Sequence, residues 1–281
     1  MISLPSVWVK ANGILKGADI EVEVIHNQLV VSSQIQHVEK KATLEFKNKE
    51  QYLDRLLMGK YREGCNQVVI FFDDPEILGL VRETLRYLLG FEIVDQTNTS
   101  CTIRNISQGS SDQYDLMFRR MFSILLTMSE ECKLFLETGE EKHRLLAMDL
   151  RETLLKLEQY CLRLLATEHA FSMEKKTQET LIIWNVAGLG KMWASFAAKP
   201  LAKGTTLNKK ELQFVYESVL YTKDFYEVYF SRKTQLLVAM KEKLYLLRPV
   251  GAGLLDESKN RMIVYYMLRI LNRIYEVSLT L

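Results

Sequence analysis

The sequence predicts an α+β multidomain chain: a β-rich region at the N-terminus, a small α/β segment, then an all-α bundle of two three-helix units. Three observations carry this. Ile20, Val22 and Val24 alternate with Glu21 and Glu23, the two-residue period of a strand with one buried and one wet face. Val68-Val69-Ile70-Phe71-Phe72 is a short apolar run followed at once by a helix-start signal. From residue 109 onward, apolar residues recur at intervals of three and four. The regions are 1–46, 47–108 and 109–281, with the bundle divided into 109–200 and 207–281.

In the first region a short strand is expected to end at Leu4-Pro5, with one helical turn carrying Trp8 and Val9. Glycines 13 and 17 bound a loop and suit backbone positions that side chains penalise. Two strands follow, 20–25 and 28–32, joined at His26-Asn27.

In the second region Asn48, with Gln51 three residues on, sets a capping box for a helix to about residue 58. The apolar run at 68–72 is expected to be a strand covered on both faces. Asp73-Asp74-Pro75 supplies a cap and a first-turn proline for a helix with Leu78, Val81, Leu85 and Leu88 on one face, stopped by Gly90. Phe91–Val94 and Cys101–Ile103 read as strands around the polar turn 96–100.

Six apolar stripes make up the third region. They begin at Phe118, Leu150, Ile182, Leu212, Leu237 and Ile263 and leave each helix with one apolar and one wet face. Residues 200–208 form a linker, and 249–253 are expected to form a turn. Three helices, a linker and three more helices suggest a duplicated unit. Glu137–Arg144 is a solvated turn around Gly139.

Of the 281 residues, 48% are hydrophobic and 26% charged, enough to bury a normal core. The densest apolar run, Leu181-Ile182-Ile183-Trp184, breaks at Asn185, so no membrane insertion is expected. The start lacks the basic and apolar stretches of a secretion signal, which points to the cytoplasm. Four scattered cysteines without a Cys-x-x-Cys pair are expected to be buried thiols. A net charge of +2 is small for a dedicated nucleic-acid binder.

No catalytic or cofactor-binding residue is indicated. Ala187-Gly188-Leu189-Gly190-Lys191 lacks the spacing of a phosphate loop and lies within a helical stripe, where small residues allow close helix approach. His26, His37, His143 and His169 are isolated, so none forms an i, i+4 metal pair. No Gly-x-Ser-x-Gly elbow or apparent cysteine–histidine dyad occurs. The aromatics from Phe214 to Phe230 fall all around their helix. Either that helix is central and covered on both sides, or Tyr221 and Phe225 belong to a partner surface.

Leu4-Pro5, Trp8, Gly13, then Lys16-Gly17 and Asp19 before a strand resemble an AbrB/SpoVT-type swapped-hairpin domain. That resemblance implies a homodimer and DNA contact through Lys10 and Lys16. Only three residues precede Leu4, and Asp19, Glu21 and Glu23 offset the two lysines. DNA binding would therefore be weak and salt-sensitive, or the domain would mainly serve dimerisation.

Arg82-Glu-Thr-Leu-Arg-Tyr-Leu-Leu-Gly-Phe-Glu-Ile-Val94 and Leu271-Asn-Arg-Ile-Tyr-Glu276, with the tandem helical units, resemble archaeal-type PhoU-domain regulators. This implies a non-enzymatic adaptor in control of phosphate uptake, with phosphate-transporter or sensor-kinase components as protein partners. A DNA-binding transcription regulator is the alternative. The family also implies iron or zinc clusters held by carboxylates at i and i+4 on one helix face. Here Asp149 is followed at i+4 by Thr153, Lys191 stands in the third-helix motif, and Glu276 has Asn272 in place of its partner. No multinuclear metal cluster is expected, and a metal-binding helical sensor is disfavoured.

Overall fold

The computed structural model describes residues 3–25, 28–33, 39–47, 52–107, 111–168, 171–199 and 207–280. Residues 3–5 form no strand, contrary to expectation. Helix α1 (Ser6–Ala11) starts at Pro5 and carries Trp8 and Val9. Its end turns through Gly13 at φ +62°, a left-handed conformation that glycine adopts without strain. Strands β1 (Ile20–Ile25) and β2 (Gln28–Ser33) then pair antiparallel. The turn at His26-Asn27 and the capping box at Asn48 lie outside the described residues.

Of the predicted apolar face of β1, Ile20 is 37% and Val22 50% exposed. Two strands alone cannot cover a face, and β1 and β2 form a separate two-stranded sheet.

The second sheet contains β3 (Lys41–Phe46), β4 (Gln67–Phe72), β5 (Phe91–Gln96) and β6 (Ser100–Asn105), in the order β3-β4-β6-β5. Strand β3 pairs parallel with β4, so it belongs to the sheet of the second region rather than to the N-terminal hairpin. Helix α2 (Leu53–Arg62) makes the parallel crossover, and α3 (Ile77–Leu85) links β4 to β5. The two helices pack together on one face of the sheet. That face buries Val68, Ile70 and Phe72 of β4 with Leu57 and Tyr61 of α2 and Val81 of α3. Residues of opposite parity face away, which leaves Phe71 47% exposed. The expectation that β4 is covered on both faces is therefore corrected: all its helical cover lies on one side. Asp74 accepts the Glu76 N–H in a turn at 2.9 Å, and α3 begins at Ile77, two residues later than Pro75 suggested.

The remainder is helical: α4 (Ser111–Thr138), α5 (Glu141–Thr167), α6 (Met173–Ala197), α7 (Lys209–Ser231), α8 (Thr234–Glu257) and α9 (Arg261–Ser278). Helices α4–α6 pack mutually, as do α7–α9. The two units join through α4 against α7 and α6 against α9. The predicted stripes face this core; Met121, Leu125, Met128, Cys161, Leu189, Trp193, Ile270 and Ile274 are all buried. Gly190 serves the close approach expected of it, since an added Cβ would collide with Leu154 of α5.

The predicted turn at 249–253 is instead continuous helix, with Pro249 inside α8. The reason is burial on both sides of the proline. Leu244, Leu247 and Leu254 hold to the core, and Gly251 lets α8 approach so closely that a Cβ there would lie 2.6 Å from Phe214 Cζ. No described helix is long and apolar enough to cross a membrane.

Candidate interaction surfaces

The junction between the α/β segment and the bundle is built on Arg163. Its Nη1 donates to the carbonyls of Tyr61 and Cys65, each at 2.8 Å, which satisfies orphan acceptors at the end of α2. Its guanidinium also lies over the Tyr61 and Phe91 rings. Gly64, at φ +82°, brings this end of α2 against Thr167, whose Cγ2 would be 2.6 Å from an added Cβ. Sequence reading missed Arg163, because an arginine on a helix carries no local sign that carbonyls of another segment will reach it.

Tyr221 and Phe225 are fully buried, so the reading of α7 as a central helix is the one the geometry supports, and these residues offer no partner surface within this fold. Helix α7 is enclosed by α4, α8 and α9. Nearby, Tyr114 and Tyr229 both donate to Glu179 Oε2, at 3.0 and 2.9 Å, tying α4 and α7 to α6. Burial, reinforced by that carboxylate, pushes both phenols up from their ordinary range. All four cysteines are buried and free; burial raises the Cys101 thiol to about 11.

At the start of α7, Asn208 and Glu211 form a capping box. Glu211 also accepts from Asn260 Nδ2 at 2.9 Å and, in a short contact, from Ser258. Burial opposes its charge, but the bonds from Ser258, the Asn208 backbone and Asn260 hold its carboxyl below the ordinary range. The Asn-x-x-Glu spacing at 208–211 could have revealed this cap.

The positions compared with carboxylate clusters do not fit a cation. Asp149 is exposed on α5, with Thr153 four residues on. Glu276 is exposed on α9 and pairs with Arg273 at 3.3 Å. Asn272, four residues before it, accepts from Arg248 Nε at 2.8 Å. Lys191 and Arg151 stand near Glu158, where burial raises the carboxyl against the pull of those cations. Among the described residues, no three His, Cys, Asp or Glu side chains converge where they could hold a metal. Lys10 and Lys16 are exposed beside α1.

Two faces remain open. One is the β1–β2 hairpin with Val22 and Leu29 exposed. The other is a groove of about 770 Å³ between α7 and α8, with an apolar floor and lysines at its rim.

No protein-family profile matches the chain, and no curated protein matches it. Among solved structures it is similar to the phosphate transport system regulatory protein PhoU from Streptococcus pneumoniae. The two are 13% identical with a TM-score of 0.47, over 59% of this chain and 90% of that one.

Proposed function

We propose that this chain is a non-enzymatic, PhoU-like regulator acting through protein contacts in the control of phosphate uptake or signalling. The observation that carries the reading is the arrangement of α4–α9 as two three-helix units joined through α4–α7 and α6–α9. The stretch from Arg82 to Val94, quoted above for the resemblance, forms part of α3, a turn at Gly90 and part of β5. The partners proposed are phosphate-transporter and sensor-kinase components, met in the cytoplasm. A bundle with Thr153, Lys191 and Asn272 at the compared positions is proposed to hold no multinuclear cluster. Two or more stoichiometric iron or zinc ions per chain by elemental analysis would contradict that.

Homodimerisation through the N-terminal hairpin belongs to the same proposal. An isolated hairpin with exposed Val22 and Leu29 is marginal in water and gains from a partner strand. Sedimentation at micromolar concentration should show a species of twice 32.7 kDa, and a lone monomer would contradict it. DNA recognition through Lys10 and Lys16 is the second reading, supported by the exposure of both lysines. Two cations per chain give few phosphate contacts, so a gel shift against the gene's own upstream region should appear only at low salt. No binding even at low salt would remove this second reading.

The deciding experiment is affinity capture with the full-length tagged chain from phosphate-starved and phosphate-replete cells. Recovery of a transporter ATPase subunit or a sensor kinase is expected. Recovery of no transport or signalling component would count against the assignment.

A further inference from the structure

The first three-helix unit shows how a face left open on the second can be filled. In the first unit α2 lies against the middle helix, α5, with Arg163 bonded to the end of α2. In the second unit the middle helix is α8. Among the described residues it packs against α7 and α9 and has no counterpart of α2. Counted back from their last residues, Lys156, Tyr160 and Arg163 of α5 correspond to Leu246, Val250 and Gly253 of α8. The position that offers α2 a guanidinium on one helix offers an apolar strip on the other.

That strip borders the groove between α7 and α8. Phe214, Leu247 and Leu254 make its floor, and Leu246, Pro249 and Val250 make one wall. Leu246 is 73% exposed and Val250 51%. Spacing of four and then three along Leu246, Val250 and Gly253 is the register a docked helix reads. Gly253 has open space where a Cβ would be, and Pro249 has no N–H to offer the Tyr245 carbonyl.

The charges at the rim choose the partner. Lys209 and Lys210 stand at the positive, N-terminal end of α7, and neither makes an ion pair with a described residue. Lys243, also at the rim, is engaged by Asp224 at 2.9 Å and Glu217 at 3.5 Å. Glu257, at the C-terminal end of α8, lines the same end of the groove, so the two lysines outnumber one carboxylate there.

We infer that this groove receives an amphipathic helix of a protein partner. The helix is apolar at i, i+4 and i+8, as α2 is at Leu53, Leu57 and Tyr61, and is acidic at the end that lies over Lys209 and Lys210. The inference rests on the reading that the bundle acts through protein contacts, and it is independent of which pathway the partner serves.

The test uses the full chain and a fluorescein-labelled helical peptide of about four turns. It carries leucines at that spacing and three glutamates at one end; a control carries lysines in their place. Saturable binding in the micromolar range is expected, and the lysine peptide should bind about tenfold or more weakly. Leu246→Glu should weaken the acidic peptide about tenfold. The double change Lys209→Glu with Lys210→Glu should reverse the preference between the two peptides. All three residues are exposed, so each variant should keep its melting temperature; if Leu246→Glu fails to fold, the lysine pair carries the test.

Absence of saturable binding at millimolar peptide, or binding indifferent to both variants, overturns the proposal. So does a dimer that Leu246→Glu converts to monomer, because a second copy then owns this face. Peptide binding that survives while cells yield no transport or signalling partner would remove the functional assignment and leave the groove standing.

Discussion

The two three-helix units repeat one architecture and differ in what lies outside it. Helix α5 is roofed by α2 of its own chain, and among the described residues α8 has no such roof. The difference comes down to a few side chains. Arg163 gives α5 two charge-assisted bonds to α2, while the corresponding stretch of α8 presents Leu246, Val250 and Gly253. A repeated scaffold can thus use one copy's middle helix for internal assembly while the corresponding stretch of the other stays exposed.

The sharpest way to break this contrast is Arg163→Ala. It strands two buried carbonyls and removes two charge-assisted bonds, so a cost of about 3 kcal/mol is expected in urea unfolding. Amide exchange should rise at residues 53–65 while α7–α9 remain protected. Uniform exchange across the chain would show that the α2 roof is not a separable feature.

Close helix packing is shared by both units. Gly190 meets Leu154 in the first, and Gly251 meets Phe214 and Leu268 in the second. Valine at either position should cost about 1–3 kcal/mol by overpacking. Thermal melts that reveal a cost in only one unit would make the two cores unequal.

Glu211 distinguishes the second unit by tying the start of α7 to the α8–α9 turn. Its folded carboxyl lies below its unfolded value. The stability it contributes is therefore present above the unfolded value near 4.3 and is lost as pH falls through the folded one. Glu211→Gln should cost about 1–2 kcal/mol at neutral pH, with the difference shrinking in acid, as read from urea midpoints at several pH values. A pH-independent difference would assign the effect to shape rather than charge. Smallest of all, Leu246→Glu should change stability by about 0.5 kcal/mol or less, because that side chain is mostly in water.

Much of this was legible beforehand. Six helices were written in their stripes, and β1, β2, β4, β5 and β6 in their alternation and apolar runs, because burial within one element leaves a local period. What escaped depends on neighbours distant in sequence. Pro249 reads locally as a break, yet the burial of Leu247, Gly251 and Leu254 carries α8 through it. Tyr221 and Phe225 read equally as interface or interior until α4, α8 and α9 enclose them. Phe71 follows the same apolar run as Val68 and Ile70, and only the one-sided placement of α2 and α3 leaves it in water. The contrast between α5 and α8 lay in residues 156–163 and 246–253, but its meaning required knowing where α2 would rest.

Hydrogen exchange of the full chain with and without the acidic helical peptide tests the central claim most directly. Protection confined to residues 209–217 and 243–257, with 53–65 and 156–167 unchanged, is the predicted result. Protection that instead appears along α5 and α2, or nowhere, would contradict the account.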